Sequence, residues 1–264
     1  QLEKIENVLF DTEIEKVESF KDCLTKILNS KGEKNFVYSW NRADNFQNFG
    51  KGYIFRNKII QENLQKEINL KDIIFKKFNN FPFNFWNKIS LNIINKCFYE
   101  FQNFKGKNIR EDFTKVIFPY LGNENYFKLF GPKGFFESQI IFSKENAEVF
   151  IEEFLSIFKK LKPTITLLSM KNISGNQINL RFEKEGICIS FDFTNTKKNI
   201  LFLEEIDKLC IKYNGLPSII KDSRLSKEIV TSCYSEEYNS FKNKLYEFDK
   251  KRIYRSKISN KLDL

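Results

Sequence analysis

Apolar residues recur along this chain in two rhythms, and each change of rhythm marks an element. Lys4 to Phe10 alternates in the manner of a strand with one buried face. Thr12 followed by Glu15 makes a capping-box pattern, and Ile14, Val17, Phe20, Leu24, Ile27 and Leu28 then line one face at helical spacing. Ser30-Lys31-Gly32 supplies the stop. Phe36 to Trp40 and Tyr53 to Arg56 read as two strands joined by a polar, Asn-rich loop. Residues 57–80 are rich in Lys and Asn without a clear period, and the aromatic stretch Phe81 to Phe104 reads as partly helical.

The second half is sharper. Phe135 to Phe142 predicts a strand. Ser143 predicts the N-cap of a helix whose buried face is Ala147, Phe150, Phe154, Ile157, Phe158 and Leu161, with Pro163 ending it. Three strands are expected next: Thr164 to Met170, Gln177 to Phe182 and Cys188 to Phe193. Asn172 and Ser174-Gly175-Asn176 suit a hairpin turn between the first two. A helix over Ile200 to Tyr213 ends at Asn214-Gly215, the strand Leu216 to Ile220 follows, and from Leu225 the pattern is helical.

This order predicts an α+β fold, an antiparallel sheet with helices packed on one face, plus a helical C-terminal segment. No internal repeat and no Gly/Pro/Ser-rich linker interrupts it. The natural break falls near Lys221, dividing residues 1–220 from 221–264. A chain of 264 residues buries a sizeable core in one large domain or two small ones.

Composition changes this picture only in places. Phe, Lys, Ile and Asn dominate while Arg, Ala, Gly and Pro are scarce, a bias that reads as genome composition before function. The formal net charge of +10 raises nucleic acid or an anionic membrane as partners. Acidic residues interrupt that charge nearly everywhere, and only Lys250-Lys251-Arg252 through Lys261 is locally basic. Dispersed charge and the absence of an aromatic-basic RNA motif speak for a solvated basic surface and against nucleic acid. Five cysteines, an odd number with no C-x-x-C pair, point to a reducing, cytoplasmic setting and away from a disulfide framework or zinc site. No metal is expected. No apolar run approaches the ~18 residues that span a bilayer, and no signal peptide opens the chain. The start at Gln1 leads to the expectation of a piece cut from a longer protein.

The chain contains no histidine, which removes the commonest neutral-pH acid/base and metal ligand. Proton chemistry then falls to Lys, Asp, Glu, Tyr, Cys or a cofactor. Glycine-rich phosphate loops and nucleophile-elbow patterns are missing too. Attention settles on Lys221-Asp222-Ser223-Arg224, directly after a predicted strand. Two readings stay open: a turn held by a salt bridge, or a lysine aimed into a cleft to stabilise an anion or relay a proton. Lys171 near the end of another strand would add a second cation at the same sheet end. Gln139, between Ser138 and Ile140, is either a satisfied core glutamine or a residue facing a site. The carboxylate pairs Glu152-Glu153 and Glu204-Glu205 read as surface.

Several of these segments together resemble a known family. They are Gly134-Phe135-Phe136-Glu137-Ser138-Gln139 with Ile140-Ile141-Phe142, Gly186-Ile187-Cys188-Ile189-Ser190-Phe191-Asp192-Phe193, Asn214-Gly215, Lys221-Asp222-Ser223-Arg224, Tyr254-Arg255-Ser256 and Leu262-Asp263-Leu264. The sequence resembles the substrate-binding and C-terminal part of FAD-linked oxidases of the vanillyl-alcohol-oxidase type, and looks most like the decaprenylphosphoryl-ribose oxidases. The likeness runs from Phe118 to the end and, more loosely, from Phe36 to Arg56. The family's N-terminal FAD domain, with its pyrophosphate loop and catalytic-site histidine, has no counterpart here.

The resemblance implies roles residue by residue. Lys221 matches the catalytic lysine against the flavin and the substrate hydroxyl, and Ser218 falls where the family commonly has a tyrosine beside the flavin. Gln139 and Lys171 match residues lining the substrate pocket. Ser190 falls where the mycobacterial members carry a pocket cysteine, and Cys188 lies two residues earlier on the same strand face. Residues 1–220 would be the substrate-binding domain, and 221–264 a segment packing on the absent FAD domain. The implied activity is FAD-dependent oxidation of a secondary hydroxyl of a polyprenyl-phosphoryl sugar, with the keto product passed to a partner short-chain reductase in bacterial cell-wall or glycolipid synthesis. The +10 charge suits such a phosphate-bearing substrate and peripheral contact with the inner membrane. A sugar-lactone or alditol oxidase, or a basic binding module without catalysis, are the alternative expectations.

Overall fold

The computed structural model describes residues 9–30, 36–60, 81–117 and 125–264. The N-terminal part of the expected strand Lys4 to Phe10, the Lys31-Gly32 stop and residues 61–80 lie outside them. The fold is α+β, built on antiparallel strands with helices and a helical C-terminal segment. The chain divides into two units, Gln1–Phe135 with Thr164–Ser169, and Phe136–Pro163 with Met170–Leu264.

In the first unit, β1 (Leu9–Val17), β2 (Phe36–Asn41), β3 (Gly52–Ile60) and β4 (Asn108–Asp112) stand in the order β4-β1-β3-β2. All three pairings are antiparallel, with Ile14 opposite Phe55, Tyr38 opposite Phe55 and Thr12 opposite Ile109. The helix expected from Thr12 is therefore a strand up to Val17, and α1 spans only Phe20–Leu28. Two-residue periodicity wins because Phe10, Thr12 and Ile14 are all buried, and the Thr12 hydroxyl donates to Asn57 Oδ1 at 2.7 Å. The true cap is Ser19, whose Oγ accepts from the Asp22 N–H at 3.0 Å. Gly50 lets β3 begin against that helix: its φ is +82°, and a Cβ there would meet the Phe20 backbone. Helix α2 (Lys88–Phe104) fulfils the partly helical expectation for Phe81–Phe104, and α3 (Phe113–Ile117) and α4 (Asn125–Lys128) are short.

The second unit follows the pattern more closely. β5 (Phe135–Phe142) and α5 (Lys144–Leu161, capped by Ser143) fall where the sequence places them. Then come β6 (Ile165–Ile173, of which Met170–Ile173 belong to this unit), β7 (Gly186–Thr194), α6 (Lys197–Lys212) and β8 (Leu216–Pro217), and the strands stand in the order β6-β7-β5-β8. Phe154 stacks on Phe191 of β7 with centroids 5.2 Å apart and meets Phe202 of α6 edge-on at 5.5 Å. Phe142 and Phe150 stack at 4.2 Å, so phenylalanine rings dominate the face of the sheet that α5 and α6 cover, with Ala147, Ile151, Leu203 and Ile206 buried beside them.

Two expected strands fail here. Residues 177–182 pair with no strand: Gln177 Nε2 donates to the Asn179 and Arg181 carbonyls at 2.7 and 2.9 Å, and Asn179 takes φ 54°. Side-chain bonds to the local backbone replace a ladder. The strand expected over Leu216–Ile220 stops at Pro217, because the Asp222 N–H turns back to the Ser218 carbonyl at 3.0 Å and Ile220 is 89% exposed. The helices α7 (Lys227–Tyr234), α8 (Glu236–Phe248) and α9 (Lys257–Leu262) complete the chain. Residues 221–264, read from the sequence as a separate segment, pack Leu225, Val230, Tyr234, Tyr238, Leu262 and Leu264 against Ile141, Cys188 and Leu216 of their own unit.

Phe154→Ala removes the ring shared by α5, α6 and β7, and the expected loss is about 3–5 kcal/mol of unfolding free energy in urea titration.

Candidate functional site

Alternation along β5 puts Glu137, Gln139 and Ile141 on one face. Ile141 packs in the same apolar cluster as Cys188 of β7, so Cys188 and Ser190 belong to that face as well. This is the side on which the C-terminal helices pack, opposite Phe191 and Phe193. Glu137 draws two predicted residues together: Oε1 accepts from Gln139 Nε2 at 2.6 Å, and Oε2 accepts from Lys221 Nζ at 3.2 Å. The turn that delivers Lys221 is clipped to the same strand, since the Ser218 N–H donates to the Gln139 carbonyl at 2.8 Å.

The tetrad Lys221-Asp222-Ser223-Arg224 splits into two functions. Asp222 is 2% exposed, and its carboxylate accepts from the Arg224 backbone N–H at 3.0 Å and from Nη2 at 2.6 Å. Arg224 also reaches Asp207 of α6, Nη1 to Oδ2 at 3.2 Å. Burial lifts the Asp207 carboxyl above the usual aspartate range, against the pull of the Arg224 charge. For Arg224, burial works to lower the guanidinium, but the two carboxylates outweigh it and hold it above its ordinary value. Around the turn, the Tyr234 hydroxyl donates to the Pro217 carbonyl at 2.7 Å and Lys261 Nζ to the Ser223 carbonyl at 2.6 Å. The salt-bridged reading thus holds for Asp222 and Arg224, while the Lys221 side chain remains half exposed beside Glu137.

Cys188 and Ser190 lie deeper, with Sγ and Oγ 3.8 Å apart. Burial pushes the Cys188 thiol up to about 11, opposed by the Ser190 hydrogen bond and the Lys171 charge and assisted by the Glu137 charge. The thiol is protonated at neutral pH and is no nucleophile. Lys171, on β6, is near enough for its charge to act on Cys188. Ser218 is buried, and its backbone N–H and carbonyl carry the contacts that fix the turn. Two residues escaped the sequence reading. Glu137 stands two positions before Gln139 and so on the same strand face, a relation the spacing contained. Asp207 could be found only from the tertiary packing of α6.

The electrostatic clamp extends into the last helix. Asp263 Oδ2 accepts from Lys227 Nζ and Lys242 Nζ, each at 2.8 Å, and these two ammonium groups hold its carboxyl down at about 2. A cavity of about 200 Å³ opens beside the turn, lined by Ile219, Ile220, Leu225, Ile258 and Leu262 with Lys257 and Lys261. It falls below the roughly 300–1,000 Å³ of small-molecule sites, and Lys221 does not line it. Among the described residues no group of three or more His, Cys, Asp or Glu side chains could hold a metal ion, and no helix is long and apolar enough to cross a membrane. Compared with descriptions of known protein families and with curated proteins, the chain matches none.

Two predictions follow from these charges. Arg224→Met strands two buried carboxylates and is expected to cost about 3–5 kcal/mol in urea unfolding, with Asp207→Asn in the same chain recovering part of the loss. Asp263 has a depressed folded-state value, so its contribution is present above about pH 4 and lost as pH falls toward 2. Asp263→Asn should flatten that part of the stability-pH curve and leave its slope above pH 5 unchanged, as followed by circular dichroism.

Proposed function

We propose that this chain is the substrate-binding part of an FAD-dependent oxidoreductase that oxidises a secondary hydroxyl of a polyprenyl-phosphoryl sugar. One observation carries the reading. Glu137 holds both Gln139 and Lys221, on a face that also bears Cys188 and Ser190, so residues assigned separately to one pocket share one patch of one unit. The sugar-phosphate part of the proposal rests on the likeness of the sequence to the decaprenylphosphoryl-ribose oxidases.

The described residues fit FAD at one point. Lys221 offers a half-exposed ammonium able to meet an anionic ring edge, but no glycine-rich cradle accompanies it in the sequence for the dinucleotide. The rest of that site would be supplied by an FAD domain outside this chain. FAD, when bound, supplies hydride acceptance. The chain's own residues bind and orient. The Gln139 amide both donates and accepts toward sugar hydroxyls, and the Glu137 carboxylate accepts from one. Lys221 exchanges its surface partner Glu137 for a developing anion at small cost, since such exposed pairs contribute about 0–1 kcal/mol. In this reading the enzyme works in the cytoplasm at the membrane surface, where its lipid-phosphate substrate resides, and hands its keto product to a short-chain reductase.

The protein expressed from its complete gene is expected to be yellow, with the absorbance of bound flavin. Lys221→Ala should lower turnover by roughly 10²-fold or more while the flavin stays bound. Undiminished turnover in that variant removes the role of Lys221, and a colourless protein removes the flavin reading. Comparing oxidation of a lipid-phosphate sugar with that of free polyols and lactones separates this substrate class from a sugar-lactone or alditol oxidase.

A further inference from the structure

Cys210 and Cys233 lie 23 positions apart in sequence, yet their sulfurs approach to 3.7 Å. Cys210 sits on the last turns of α6 and is buried, while Cys233 sits on α7 and is partly accessible. Gly215 packs closely beside the pair: a Cβ there would crowd Phe142, Ile140 and, at 2.9 Å, the Cys210 sulfur. Both helices are anchored on either side of the pair. Asp207, one turn before Cys210, grips Arg224, and Tyr234, next to Cys233, grips the Pro217 carbonyl. The segment between the two cysteines contains β8, Ser218 and the whole Lys221 turn.

We propose that Cys210 and Cys233 form an oxidisable dithiol, a modification site for hydroperoxides, whose disulfide pins the turn carrying Lys221. The more accessible Cys233 reacts first: its thiolate attacks one peroxide oxygen, the O–O bond breaks, and sulfenic acid forms as water (or an alcohol) leaves with the proton taken up. The Cys210 sulfur then attacks the sulfenic sulfur. An S–S bond forms, the S–O bond breaks, and hydroxide departs with the Cys210 proton as water. Two electrons pass from the pair of thiols to one hydroperoxide, and a dithiol reductant reverses the reaction. The sulfurs need close only from 3.7 Å to a bond of about 2.0 Å. The sulfur–sulfur contact favours this order, since each thiol shifts the other: Cys233 is lowered and Cys210 raised. Such a bond is compatible with a reducing compartment, where disulfides are transient and redox-linked.

The full chain, treated with hydrogen peroxide and then alkylated after denaturation, tests this. The expected product has lost two hydrogens and two alkylatable thiols, with a Cys210–Cys233 cross-linked peptide in the mass map that dithiothreitol removes. Exposed Cys97 is the internal competitor. Oxidation at Cys97 with both Cys210 and Cys233 still alkylatable, or Cys233 passing to sulfinic acid without a cross-link, overturns the proposal. Cys210→Ala should abolish the cross-link and leave Cys233 as a trappable sulfenic acid. The wild-type map decides the matter even if that variant fails to fold. Hydrogen exchange on the oxidised protein should show slower exchange over residues 218–225 than on the reduced protein. A cross-linked chain with unchanged exchange there overturns the pinning of the turn.

Discussion

A guanidinium withdrawn from water must find acceptors within the protein, and Arg224 finds them on two elements, Asp222 within its own turn and Asp207 on α6. That single group turns a flexible connection after a two-residue strand into a fixed object. Asp222 bends the chain, Asp207 ties the bend to a long helix, and Lys221, the other cation of the tetrad, meets Glu137 of β5. The three charges that form the anchor are largely withdrawn from water, whereas Lys221 and Glu137 keep water within reach. Strong pairing at Arg224 and exchangeable pairing at Lys221 thus sit three positions apart.

The second unit separates its labours by sheet face. Phenylalanine covers one side, where Phe142, Phe150, Phe154, Phe191, Phe193 and Phe202 form a continuous series of stacked, tilted and edge-on ring contacts. The opposite side carries the polar residues of β5 and β7, closed toward one end by the apolar cluster of the C-terminal helices. A chain rich in Phe and poor in Ala fills its core with large flat rings in place of many small contacts, so each ring is a substantial share of the stability. The polar face can then tolerate groups such as Glu137 and Gln139, which contribute little to folding.

The legibility of all this in the sequence depended on whether the deciding interaction was local. Phe135–Phe142, the Ser143 cap and the α5 stripe were readable because periodicity and capping act over a few residues. Thr12–Val17 was misread because a helical spacing of apolar side chains coincided with a strand whose buried Thr12 meets Asn57 far along the chain. The loop at 177–182 looked like a strand by residue type, and its Gln177 side chain decided otherwise. At the site, Gln139 and Lys221 were found as positions, but their meeting through Glu137 needed β5 and the turn placed side by side. Asp207 belongs to the same class. Local chemistry announced the turn, and only tertiary packing could name its anchor.

The brevity of β8 has a consequence for how the molecule behaves in company. It is the last strand in the order β6-β7-β5-β8, and a sheet margin with free N–H and C=O groups is a template on which another chain can build. Pro217 has no N–H to offer, and its carbonyl is already taken by the Tyr234 hydroxyl. Beyond it the chain turns away at once. At Pro217, therefore, this margin has no donor to offer and an acceptor already in use, which interrupts the ladder that a neighbouring copy would need to build along it.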